Sequence, residues 1–188
     1  MLIKRINFYG APGTGKTVLA HELFVHAKQN GRNCEIISEL AREWAYVDRK
    51  IQGFDQLLLF AHQANREDVC LRNGKADFII TDSPVSMAVF YSLMKDDSLR
   101  SCYEGFTKVI DQTYPSINFF CTHNDSFEYH TGGRHHTLEE SKDLSQSMLH
   151  YLNGYYDGNI YLLPVENRLE RVIKIINNNI ANTVRLIK

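Results

Sequence analysis

The chain has 188 residues, of which 44% are hydrophobic and 23% charged, and its formal net charge is −1. That length suits one domain and is enough to bury a core. The near-neutral balance excludes a global basic field that would draw the chain onto nucleic acid, so any such binding needs a local basic groove.

Leu2 to Tyr9 reads as a buried strand running into the loop that starts at Gly10. From about Gly15 to Asn30 the pattern is helical, with Val18, Leu19, Leu23 and Phe24 apolar and Gly31 as the stop. Cys34 to Ser38 is a second strand, and Glu39 to Val47 starts a helix. A longer helix is predicted from Phe54 to Arg72, ended by Asn73-Gly74. Asp77 to Thr81 is a third strand, after which Pro84 suits the first turn of a helix. Ser98 to Thr113 is helical and Ile117 to Cys121 is a fourth strand. A polar loop follows from His123 to Thr137. Leu138 to Leu152 is helical, with Thr137 and Glu140 as a capping box. Ile160 to Leu163 is the last strand and Glu166 to Asn179 the closing helix.

Strands alternating with helices predict an α/β, three-layer fold: a five-stranded parallel sheet covered by helices on both faces. The whole chain, 1–188, reads as one such domain with a lid-like loop at about 123–137. In open α/β sheets ligands bind at the carboxyl ends of the strands, and the motifs below fall there. The cysteines Cys34, Cys70, Cys102 and Cys121 show no metal or redox spacing and read as reduced thiols of a cytoplasmic protein. No apolar stretch approaches the roughly 18 residues of a membrane span, and the opening apolar run is too short for a signal peptide.

Residues Gly10, Ala11, Pro12, Gly13, Thr14, Gly15, Lys16 and Thr17 match the phosphate-binding pattern G-x-x-x-x-G-K-[ST]. Glycines let successive N–H groups point at phosphate oxygens, and the following helix adds its positive end. Lys16 supplies charge to the β- and γ-phosphates of ATP, and Thr17 a hydroxyl to Mg²⁺. Asp82, at the end of the third strand, is placed to hold Mg²⁺ or to take a proton from an attacking hydroxyl. The plain alternative is that it caps the next helix. Ser83 is a candidate substrate contact with the same alternative. Glu39 follows the second strand directly and is a candidate general base. Arg42, three residues on, could hold a substrate phosphate, and Trp44 or Tyr46 could stack on a base. Their alternative is a surface ion pair with Trp44 in the core. Arg134, beside Gly132-Gly133, is a candidate mobile arginine for phosphoryl transfer. The spacing of His123, His130, His135 and His136 does not suit a metal site.

The P-loop FYGAPGTGKT, SELAREW, IITDSP and GGRHHTLEES, in that order, resemble the P-loop kinases typified by the nicotinamide riboside kinase domain. Small phage-encoded relatives, which include 5-hydroxymethyl-deoxyuridine DNA kinases, are closer still. The likeness runs over nearly the whole chain. It implies an ATP- and Mg²⁺-dependent kinase acting on a nucleoside-like acceptor, either free or in DNA. More distantly the chain is similar to deoxynucleoside kinases, which implies Glu39 as base and Arg134 as lid arginine. It departs from them at Asp82-Ser83-Pro84, where they carry an E-R-S type motif, so base duty is open between Asp82 and Glu39. A DNA acceptor would call for a groove built from Arg42, Arg49, Lys50, Arg66 and Arg72. A motor ATPase is the reading from a different class. It would want adjacent acidic residues where this chain has Asp82 followed by Ser83.

Overall fold

The computed structural model describes residues 3–95, 98–123 and 137–180. Its elements in chain order are β1 (Arg5–Tyr9), α1 (Lys16–Gln29), β2 (Cys34–Ile37), α2 (Leu40–Tyr46), α3 (Asp55–Leu71), β3 (Phe78–Thr81), α4 (Met87–Met94), α5 (Arg100–Thr113), β4 (Ser116–Cys121), α6 (Leu138–Tyr155), β5 (Tyr161–Leu163) and α7 (Arg168–Ile180). The five strands form one parallel sheet in the order β2-β3-β1-β4-β5. Asn7 lies beside Thr81, and Tyr9 beside Phe120. The strand that feeds the P-loop is therefore central, and the strand that ends at Asp82 is its direct neighbour.

Strand residues alternate between faces, and β1 shows what each layer holds. Ile6 and Phe8 join Leu19 and Leu23 of α1 and Val172 and Ile176 of α7 in an apolar core. The other face carries Arg5, Asn7 and Tyr9, all buried. There Arg5 donates to Glu67 of α3 at 3.1 Å, to Asp111 of α5 and to the Tyr114 carbonyl. Asn7 donates to Asn118 of β4 at 2.9 Å, and the Tyr9 hydroxyl shares hydrogen bonds with Ser86 and Tyr156. Phe60, Val85, Val89 and Tyr103 form a separate apolar cluster between α3, α4 and α5.

Thr137 and Glu140 make both bonds of the predicted capping box on α6. Pro84 departs from its expected place. A turn at 84–86 intervenes, with Met87 N–H bonded to the Pro84 carbonyl, and α4 begins only at Met87. Among the described residues no helix is long and apolar enough to cross a membrane.

Candidate active site

The P-loop joins β1 to α1, and its backbone explains its glycines. Gly10, Gly13 and Gly15 have φ of 137°, 88° and 86°. At Gly10 a Cβ would stand 2.6 Å from the Cys121 carbonyl oxygen and 2.8 Å from Thr14 Oγ1. Thr14 is buried, and its hydroxyl donates to the Ala11 carbonyl at 3.0 Å. Lys16 Nζ donates to the same carbonyl at 3.0 Å. The loop is held from outside as well. Ser141 of α6 donates to the Pro12 carbonyl at 2.6 Å, and Arg168 of α7 donates to the Thr14 carbonyl.

Thr17 Oγ1 donates to Asp82 Oδ2 at 2.5 Å, and Arg42 Nη1 lies 3.3 Å from the same hydroxyl. Asp82 is 7% exposed, and its second oxygen, Oδ1, is buried with no hydrogen-bond partner. Helix capping does not account for that carboxylate, because α4 starts five residues later without a side-chain cap. A hydroxyl and an orphaned carboxylate oxygen are hard donors of the kind Mg²⁺ takes, together with water and phosphate oxygens. The described residues hold no cluster of three or more acidic, His or Cys side chains suited to a metal. His123, the one histidine of the polar loop within the described residues, packs against Ser141, with Nε2 3.3 Å from its hydroxyl.

Beside the P-loop opens a cavity of about 610 Å³. Its walls include Lys16, Glu39, Arg42, Lys50, Gln56, Phe60, Gln63, Asp82, Ser83, Tyr91 and Lys95. Glu39 is the residue that precedes α2, in extended conformation. Loss of water around its carboxyl raises its pKa, which the Lys16 charge opposes. The Asp82 charge raises it further, while the Ser83 hydrogen bond and the Arg42 charge act the other way. Ser83, Glu39 and Arg42 all line this cavity.

Trp44 does not. It is buried, its ring is covered by the Arg49 guanidinium at 3.6 Å, and it is not part of the cavity wall. On a seven-residue helix it points to the packed side while Arg42 points to the cavity, so the base-stacking expectation is corrected in favour of the core alternative. The aromatic residues that do line the cavity are Phe8, Tyr9, Phe60 and Tyr91. Arg134 lies outside the described residues, as do His130, His135 and His136. Of the basic residues named for a DNA groove, Arg42 and Lys50 line the cavity. Arg49 pairs with Asp55 at 2.8 Å, Arg66 donates to the Ser38 carbonyl at 3.0 Å, and Arg72 stands 3.6 Å from Asp68.

Sequence reasoning missed the supports behind this wall. Glu67, fully buried, accepts from Arg5, from Gln63 Nε2 at 2.9 Å and from Val85 N–H at 3.0 Å. Gln63 Nε2 also lies 3.3 Å from Thr81 Oγ1, which accepts from Ser83 N–H at 3.3 Å. The segment 82–85 is thereby pinned from both ends. The available signal was a charged residue, Arg5, inside an apolar strand, and the i, i+4 pair Gln63 and Glu67 on one helical face.

A family model described as an AAA domain matches residues 5–166. Protein RecA of Colwellia psychrerythraea is 28% identical over 88 residues, covering 44% of this chain and 26% of that protein. Protein RecA of Paramagnetospirillum magnetotacticum is 30% identical over 88 residues, covering 44% and 25%. The chain therefore spans about a quarter of the length of the curated relatives it matches. Among solved structures, deoxyadenosine kinase from M. mycoides with bound dATP superposes with a TM-score of 0.55. It is 14% identical, with 93% of this chain and 99% of that one covered, so the likeness is one of fold.

Proposed function

The chain belongs to the AAA domain family, and from that premise we propose that it is an ATP-dependent kinase that phosphorylates a hydroxyl of a nucleoside-like acceptor. The observation that carries this reading is a cavity with two separate carboxylates facing it. Asp82 meets Thr17 at the phosphate side, and Glu39 stands on the wall formed by α2. A motor ATPase would want its second acidic residue beside the first, where this chain has Ser83, whereas here the second carboxylate stands apart on the α2 wall. A second substrate gives purpose to the second, and to a cavity of about 610 Å³ beside the P-loop. That volume is in the range of small-molecule sites.

In this reading the P-loop N–H groups and Lys16 bind and orient the triphosphate. Thr17 and Asp82 would hold Mg²⁺, which when bound neutralises charge on the β- and γ-phosphates. Glu39 accepts the proton of the acceptor hydroxyl as its oxygen bonds to the γ-phosphorus. The bond to the β–γ bridging oxygen breaks, and ADP leaves with that electron pair. Asp82 is the other candidate for the proton. Arg42, and Arg134 from the segment that follows β4 in sequence, would steady charge on the moving phosphoryl group. The finer proposal for the acceptor is the hydroxymethyl group of 5-hydroxymethyluracil within DNA, with a free nucleoside or nicotinamide riboside as the small-molecule form.

The RecA matches favour a second reading, a P-loop ATPase without an acceptor. Incubation with γ-labelled ATP separates the two. We expect label in an acceptor drawn from a panel of hydroxymethyluracil DNA, free nucleosides and nicotinamide riboside. Label found only in inorganic phosphate selects the ATPase. Label in free nucleoside but not in DNA rejects the DNA form. Lys16→Ala should nearly abolish transfer, because charge developing on the phosphates loses its main counter-ion. Full activity in that variant would reject the kinase reading.

A further inference from the structure

Arg168, the first residue of α7, spends its guanidinium on three backbone carbonyls. Nε donates to Pro164 at 3.0 Å, Nη1 to Thr14 at 2.5 Å and Nη2 to Thr122 at 2.5 Å. These carbonyls belong to the segment after β5, the P-loop and the residue after β4, so one side chain joins three strand ends. Among the described residues no carboxylate stands within ion-pair distance of it. Its position is also unfavourable for a cation, because the start of a helix carries partial positive charge. A half-buried positive charge, with no counter-ion among the described residues, sits where the backbone already favours an anion.

The Thr14–Gly15 peptide shows what that charge acts on. A Cβ at Gly15 would lie 3.3 Å from Arg168 Nη1, so the guanidinium packs directly against this residue. The described residues contain no cis peptide, so the Gly15 N–H points away from the carbonyl that Arg168 holds. That N–H meets no protein acceptor among the described residues. It belongs to the stretch whose N–H groups cradle phosphates in this motif. A cation on the carbonyl end polarises the peptide and makes its N–H a stronger donor.

We propose that Arg168 is a positioning residue of the phosphate site. It fixes and polarises the Thr14–Gly15 peptide, and its charge finds its counter-ion in the polyphosphate of a nucleoside di- or triphosphate. This inference rests on the nucleotide reading of the P-loop and not on the identity of the acceptor. Its signature is dependence on phosphate number: the contribution grows from AMP to ATP and is absent for adenosine.

Calorimetric titration of wild type, R168K and R168Q with adenosine, AMP, ADP and ATP tests it. R168Q is expected to lose about tenfold in ATP affinity, less for ADP and nothing for adenosine. R168K, which keeps the charge, is expected to stay within about threefold of wild type for ATP. An equal loss for all four ligands in R168Q marks a purely structural staple and overturns the proposal, as does no loss at all. If R168Q does not fold, R168K decides. Retention of the wild-type ATP-to-adenosine ratio supports the charge role, and its collapse overturns it. A wild-type protein that does not prefer ATP to adenosine overturns both this proposal and the nucleotide reading. A preference that R168Q keeps overturns this proposal alone.

Discussion

Glu39 and Asp82 face one cavity in different surroundings, and that difference is open to a pH experiment. Burial raises the Glu39 carboxyl, with Lys16 opposing and the Asp82 charge adding to the rise. A general base must be ionised, so its proton has to be gone before it can work. With Glu39 as base, kcat/KM falls as pH drops through a value above the ordinary carboxylate pKa of about 4.3. Glu39→Gln should lose about 10²- to 10⁴-fold in kcat together with that acidic limb. Asp82→Asn should instead raise the Mg²⁺ concentration needed for half-maximal rate. A Glu39→Gln enzyme that keeps both rate and limb moves base duty to Asp82. Gly10 makes a second prediction at this scale. Its φ of 137°, and a Cys121 oxygen 2.6 Å from where a Cβ would stand, leave Ala no room. Gly10→Ala should cost about 1–3 kcal/mol and remove the rise in thermal midpoint that wild type shows with Mg·ATP.

At the scale of elements, the sheet's two faces are unequal. One is filled by hydrocarbon, whereas the other is crossed by the bonds of Arg5, Asn7 and Tyr9. Burial alone would lower the Arg5 pKa, but Glu67 and Asp111 more than offset it and hold the side chain charged. Glu67→Ala would leave Arg5 with Asp111 as its one carboxylate partner among the described residues and free the Val85 N–H. A loss of about 3 kcal/mol is expected, at the low end for a broken buried pair, read from the urea midpoint. Glu67→Gln, which can still accept from Val85, should cost less. These elements also mark how far the sequence could be read. RINFY, CEII, FIIT and INFFC are short runs rich in β-branched and aromatic residues, and their strands were legible from that alone. Helix α6 announced its start through Thr137 and Glu140. The P-loop and the carboxylates at strand ends were legible because their chemistry depends on local spacing. Arg5, Glu67 and Arg168 were not, since their partners lie 62, 106 and 154 residues away. Trp44 misled for a related reason: an aromatic beside Arg42 in the chain faces the opposite side of a helix.

For the whole molecule, the cysteines give a test of packing that needs no substrate. Burial pushes the Cys34 and Cys121 thiols up to about 11, while Cys102 is exposed. Only the thiolate reacts with disulfide reagents. Titration of the native protein should modify Cys102 first and spare Cys34 and Cys121 until denaturant is added. Rapid loss of all four thiols in the native state would contradict this packing.

The adjacency of β1 and β3 has a consequence for how such a protein can change. Asp82 follows β3 directly, and Thr17 stands in the first turn of α1, which the P-loop joins to the neighbouring strand β1, so their meeting rests on the pairing of those two strands. The cavity's outer walls come from α2, α3 and α4, joined to the sheet by loops. A lineage, or an engineer, can therefore redraw the walls at Gln56, Phe60 or Tyr91 and alter which molecule fits, while the P-loop and Asp82 stay as they were.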